Sequence, residues 1–163
     1  MLMKNSQIDL LRKKLYIYLI LMNLLGSFFS SRVLTEEIDW IIEENYKIEL
    51  EIRNNYKDRE IGLMNRENLN KNKGMIFIYE RIEPINIWMY KTFIPLDIIF
   101  IRKNQIRNIS KHARPCLKLP CKIYPSLEPI DMVIEINAGL SKELNLKIGD
   151  YLDLRNIEKY KID

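Results

Sequence analysis

Tyr46-Lys47-Ile48-Glu49-Leu50-Glu51-Ile52 alternates without a break: Ile48, Leu50 and Ile52 fall on one face, Lys47, Glu49 and Glu51 on the other. Successive side chains of an extended chain point to opposite faces, so the stretch reads as a half-buried β-strand. Upstream, Trp40-Ile41-Ile42 is followed by Glu43-Glu44-Asn45, which suits the other arm of a hairpin; a helix over residues 36–44 competes for that segment. Downstream the period changes. Ile61, Leu63 and Met64 share one side of a short helix over residues 58–66, with Asp58 as its N-cap. A polar loop over residues 68–73 ends at Gly74.

Strands then dominate. Met75 to Tyr79 is one; Ile85, Ile87 and Met89 form a second strand face, with Asn86, Trp88 and Tyr90 opposite. Ile98 to Ile101 and Ile106 to Ile109 flank Arg102 to Gln105 as a hairpin, and Met132 to Asn137 is the last long strand. Gly139 opens a short helix through Leu144, and Gly149-Asp150 marks a turn before Tyr151 to Leu154. Seven or eight short strands with frequent turns and no long amphipathic helix predict a mainly β fold, a compact antiparallel β-sandwich or jelly-roll-like barrel with two short helices.

The chain has 163 residues, enough for one domain behind a leader. Arg12, Lys13 and Lys14 precede an apolar run from Leu15 to Leu25 broken only by Asn23, and Gly26, Ser27, Ser30 and Ser31 follow. That order is the one of a secretory signal. Even extended through Phe29 the run is short of the roughly 20 residues of a membrane span. Phe28 and Phe29 interrupt the cleavage registers, so an uncleaved signal-anchor stands beside a cleaved signal, and a buried N-terminal helix is the plain structural alternative. The expected organisation is a leader over residues 1–31, a lead-in over 32–45, one β-rich domain over 46–154 and a polar, frayed tail over 155–163. The domain is expected outside the cytoplasm, monomeric, and in contact with membrane only through residues 15–29 if the leader is retained.

The formal charge of +4 is largely the leader's: beyond Ser31 stand 22 basic and 21 acidic residues. A near-neutral domain lacks the electrostatic footprint that supplies most nucleic-acid affinity, so no nucleic-acid partner is expected.

Four segments in order carry a resemblance: Gly62-Leu-Met-Asn-Arg66; Gly74-Met-Ile-Phe77; Trp88-Met-Tyr-Lys-Thr92 with Ile94-Pro-Leu-Asp97; and Glu135-Ile-Asn-Ala-Gly139 with Leu146-Lys-Ile-Gly-Asp150. Together they resemble the bacterial and archaeal domain-of-unknown-function family number 192, from about Tyr46 to Leu154. The resemblance implies a compact β-sandwich or jelly-roll-like barrel, commonly behind a signal or lipoprotein leader, and brings no established activity. The cysteines of Pro115-Cys116-Leu-Lys-Leu-Pro120-Cys121, followed by Tyr124, also look like a family feature. Where the family usually reads Trp-Met-Lys-Asn-Thr, Tyr90 and Lys91 stand here before Thr92. If the family's asparagine serves function, Lys91 has replaced it.

In an oxidising compartment Cys116 and Cys121 favour a local disulfide, worth roughly 2 kcal/mol by the loop-length model. A redox pair lacks the usual Cys-x-x-Cys spacing. Cu(I) held by Met64, Met75, Met89 and the cysteines competes with core packing of the methionines. His112 is the only histidine, and no zinc set, phosphate loop or Ser-His-Asp arrangement is legible, so no cofactor or metal is expected.

Two carboxylates stand out, Asp97 and Glu135, which as a pair could hydrolyse a glycoside. Their plainer roles are an Asp97–Arg66 ion pair and a solvated strand face around Glu135. Trp88, Tyr90, Phe93 and Tyr79 offer an aromatic face, with Lys91, Thr92 and Asp97 nearby in sequence, suited to a small or saccharide-like ligand; otherwise Trp88 fills the second side of the core. The leading expectation is non-enzymatic binding of such a ligand, or of an envelope partner, around Arg66, Trp88, Lys91, Thr92 and Asp97, with Glu135 and Asn137 in second rank. The alternatives are a hydrolase using Asp97 and Glu135, and a structural accessory domain with no pocket.

Overall fold

The structure, a computed structural model, describes residues 13–15 and 35–160. The leader expected over residues 1–31 therefore lies almost wholly outside the described residues, and no described helix is long and apolar enough to cross a membrane. The described residues 35–160 form one compact unit.

Nine strands build it: β1 (Glu37–Glu43), β2 (Tyr46–Arg53), β3 (Lys73–Glu83), β4 (Asn86–Trp88), β5 (Leu96–Arg102), β6 (Gln105–Ala113), β7 (Ile123–Pro125), β8 (Ile130–Asn137) and β9 (Asp153–Leu154). Helix α1 (Tyr56–Ile61) follows β2, helix α2 (Leu140–Glu143) follows β8, and one 3-10 turn covers Ile157–Tyr160. Seven strands share one sheet in the order β6-β5-β8-β3-β2-β1-β9, and β4 pairs with β7 in a small second sheet.

The large sheet curls back on itself. Gln105 at the start of β6 bridges Tyr151 just before β9, and Leu152 N–H donates to the Asn104 carbonyl at 2.8 Å. The mainly β, barrel-like expectation therefore holds. The sheet is not wholly antiparallel, however: β2 and β3 run parallel, with Leu50 opposite Gly74. A parallel pair needs a crossover, and here α1 and the polar loop after it supply one.

The strand period explains the core. Ile48, Leu50 and Ile52 point into the barrel with Ile76, Ile99 and Ile134. On β3, β5 and β8 the opposite face is buried as well: Met75, Phe77, Ile98, Phe100 and Val133 pack outward beneath Leu63, Ile85, Met89 and Tyr124. Burial of both faces is why Met75-Ile-Phe-Ile and Ile98-Ile-Phe-Ile read as continuous apolar runs. Gly74 is required by a close approach, because a Cβ there would lie 2.8 Å from the Glu135 carbonyl oxygen.

Several local expectations change. Residues 37–43 form the hairpin arm and not the competing helix. The N-cap of α1 is Asn55, whose side chain accepts from the Asp58 N–H; Asp58 itself lies in the first turn. The tail does not fray at Arg155, whose N–H donates to the Asp39 carbonyl, and Ile157 packs into the interior cluster.

Candidate functional site

The alternation of β8 puts Val133 and Glu135 on the outer, second-layer face and Ile134 and Ile136 inside the barrel. Glu135 lies opposite Met75 on β3 and Ile98 on β5, two fully buried apolar side chains. It is 5% exposed. Among the described residues no hydrogen bond or ion pair reaches its carboxyl, which opens instead into a cavity of about 310 Å³. Burial removes water from the charged form and pushes the Glu135 carboxyl up to about 8.

The cavity lies between α1 and its following turn, the outer face of β3, and β4. Phe77 and Tyr79 come from β3, Ile87 and Trp88 from β4, and Leu63, Met64 and Thr92 from the connecting loops. Burial pushes the Tyr79 hydroxyl up, so it stays protonated. Arg59 of α1 stacks over the Tyr79 ring, 4.9 Å from its centroid, and donates to the Asn54 and Ile78 carbonyls. Glu60 and Glu83 also line the cavity, so its charged groups are three carboxyls and one guanidinium.

Arg66 does not balance Glu135, nor does it pair with Asp97 as expected. It forms a bidentate pair with Glu51, at 2.5 and 2.6 Å, and Arg53 donates to the same carboxylate at 3.0 Å. The Arg66 hydrogen bond holds the Glu51 carboxyl below the usual carboxylate range despite its burial. Glu51, Met75 and Glu135 lie in register across β2, β3 and β8. At the usual strand spacing, Glu51 and Glu135 are about 10 Å apart. Arg53 and Arg66 are both spent on Glu51, and neither pairs with Glu135.

Asp97 is fully buried in a different role. Its carboxylate accepts from the backbone N–H groups of His112 (2.8 Å), Gly139 (3.0 Å) and Ser141 (3.0 Å) and from the Ser141 hydroxyl (2.6 Å). It thereby ties β5 to β6 and to the start of α2. Asp97 pairs across strands with Ile136 while Ile98 pairs with Glu135, so the two carboxyls project from opposite faces of the sheet. A hydrolase built on both is thereby corrected: the two do not flank a shared cleft. Asn137 is also structural, donating to the Leu69 and Asn70 carbonyls.

Trp88 is 41% exposed and does not fill the second core; it stands at the cavity rim with its ring 5.4 Å from that of Tyr90. Thr92 is buried beside it. Lys91 is exposed, at φ +54°. Asparagine tolerates that left-handed conformation better than most residues, which gives the family's asparagine a backbone reason. Of the seven candidate side chains, the structure brings Trp88, Thr92 and Glu135 to one cavity and distributes Arg66, Lys91, Asp97 and Asn137 elsewhere.

Cys116 and Cys121 form a disulfide, so neither carries a free thiolate in this structure. The bridged loop supports the site: Lys91 N–H donates to the Cys116 carbonyl, Cys116 N–H to the Met89 carbonyl and Thr92 N–H to the same Met89 oxygen. Sequence reasoning missed Phe77, Arg59, Glu60 and Glu83. Phe77 carried only the signal of a core aromatic, and the other three carried the charges of a solvated surface.

The architecture is that of a small curled β-barrel with an outer apolar layer and a cavity that opens onto one buried carboxyl. Residues 40–154 match the model of DUF192, described as an uncharacterised ACR, and the chain belongs to that family. Similar solved structures include a proposed transcription regulator from Sinorhizobium meliloti 1021, at 32% identity over 74% of this chain and 93% of that one, with a TM-score of 0.65. Another is a protein of unknown function from Novosphingobium aromaticivorans DSM 12444, at 29% identity over 77% and 89%, also with a TM-score of 0.65. No curated protein matches the chain.

Proposed function

We propose that this chain is an exported, non-enzymatic binding domain that holds a small ligand in the Glu135 cavity. The single observation that carries the reading is the cavity itself: about 310 Å³, walled by Phe77, Leu63 and Ile87, with Trp88 at its rim and the buried Glu135 carboxyl opening into it. Concave apolar sites with a few convergent polar groups are the usual form of small-molecule sites. Export is supported by the basic-then-apolar order of residues 12–25 and by the Cys116–Cys121 disulfide. Regulation of transcription belongs to the name of the Sinorhizobium meliloti protein. The balance of 22 basic against 21 acidic residues beyond Ser31 gives direct DNA contact no support here.

The test has a binding arm and a location arm. Full-length protein is titrated with N-acetylglucosamine, cellobiose, phenethyl alcohol, phenylacetate and phenethylamine while tryptophan emission is followed. Trp40 is sealed in the barrel interior, so a response reports on Trp88. At least one compound is expected to shift the emission saturably, and Ile61→Phe, which fills the mouth of the cavity, is expected to suppress the shift. Silence from all five contradicts the binding reading. In the native envelope fraction, both cysteines are expected to alkylate only after reduction; free thiols in intact cells contradict export.

A further inference from the structure

We infer that the Glu135 cavity takes an organic cation, a protonated amine carried on a small apolar or aromatic body; this rests on the cavity being a binding site. The Glu135 carboxyl sits in apolar surroundings, opposite Met75 and Ile98, with no partner among the described residues. Arg53 and Arg66 are both committed to Glu51. Arg59, the one cation lining the cavity, already lies over Tyr79 and donates to two backbone carbonyls. A buried carboxylate without a counter-ion is strongly disfavoured, so a ligand that brings the missing positive charge gains most from this site.

The walls suit the same ligand. Phe77, Tyr79 and Trp88 line the cavity, and an ammonium group is attracted to aromatic rings, the more so as water is excluded. An anion would instead meet Glu60, Glu83 and Glu135 together. A neutral ligand would meet the carboxyl in its protonated form and gain no charge pairing from it.

Binding is coupled to a proton. The charged or titratable groups that share the cavity with Glu135 are Tyr56, Arg59 and Glu60 from α1, and Tyr79 and Glu83 from β3. The strands beside Glu135 present only Met75 and Ile98. In the empty site the Glu135 carboxyl titrates at about 8. Below that pH an incoming ammonium meets a protonated carboxyl. One proton leaves Glu135 for solvent, and the carboxylate so formed accepts the ammonium N–H. Affinity therefore rises with pH up to that value and levels off above it.

The test is calorimetric titration of the full-length protein at pH 8.5 with three molecules of one shape: phenethylamine, phenethyl alcohol and phenylacetate. The amine is expected to bind at least about tenfold more tightly than either of the others. Its affinity is expected to fall about tenfold per pH unit below pH 8. Glu135→Gln keeps the size of the side chain and is expected to erase both the preference and the pH dependence. Trp88→Ala, at an exposed rim position, is expected to weaken the amine without reversing the order. The wild-type pH profile tests the coupling without any variant. If the alcohol or the acid binds as tightly as the amine, the cation is wrong and the binding site stands. If none of the three binds, the inference fails, and silence from the two sugars as well removes the binding site with it.

Discussion

Glu135 occupies a strand position where the period calls for an apolar side chain, between Val133 and Asn137 on one face of β8. The sequence places a charge inside an apolar run there, and that much was legible. A solvated face was the plain reading because the layer above β8 is built from chain far away in sequence. The consequence is a pH signature. The carboxyl titrates at about 8 in the fold, against an ordinary 4.5. Between those values the folded chain keeps a proton that the unfolded chain has released, so stability falls as pH rises through that window. Glu51 has the opposite sign: its folded value is depressed by Arg66, so its contribution is present above the ordinary carboxylate range and is lost as pH falls through the folded value. Thermal unfolding of the wild type is expected to shift to lower temperature between pH 5 and pH 8, while Glu135→Gln stays nearly level across that range. Parallel curves for the two proteins would mean that Glu135 is not desolvated. Asp97 was equally visible as a residue and was misassigned a partner, because three of its four donors belong to Gly139 and Ser141 at the start of α2, which no spacing rule brings to β5.

At the scale of elements, the most legible pieces were those whose pairing is local. The β5–β6 hairpin turns at Lys103 and Asn104, both at positive φ, where the apolar runs on either side had placed it. The β1–β2 hairpin was legible on its second arm from the alternation of residues 46–52, while its first arm stood open between a strand and a helix. The parallel β2–β3 pairing was not legible, since strand periodicity is blind to direction and the crossover lies in a polar stretch. The loop closed by Cys116 and Cys121 was legible as a bridge but not as a support. It is hydrogen-bonded to residues 89–92, which lead from the Trp88 rim to Thr92. Cys116→Ser with Cys121→Ser is expected to lower unfolding free energy by about 2 kcal/mol. In the same variant, amide exchange over residues 89–92 should speed up while β5 and β8 keep their protection. Unchanged exchange in that loop would separate the disulfide from the cavity.

Across the whole domain, two layers of core share the strands β3, β5 and β8. The inner layer closes the barrel; the outer layer is covered by β4, β7 and the loops, and it is in this outer layer that the cavity forms. The apolar runs were readable as strands, and the mainly β fold followed; the burial of both faces of β3, β5 and β8 was not read from them. The cavity was not readable, because its walls come from α1, β3, β4 and β8, and their convergence depends on how the cover settles on the sheet. The family likeness reaches residues 40–154 and so spans both layers. The inferred cationic ligand would meet an unpaired, desolvated carboxyl in that outer cavity. The most direct test is a carbon-13 NMR titration of the Glu135 side-chain carboxyl in the full-length protein, alone and saturated with phenethylamine. The expected midpoint is near 8 alone, with a carboxylate signal that stays ionised from pH 6 to pH 8 when the amine is bound. A midpoint in the ordinary carboxylate range, unmoved by phenethylamine, would contradict it.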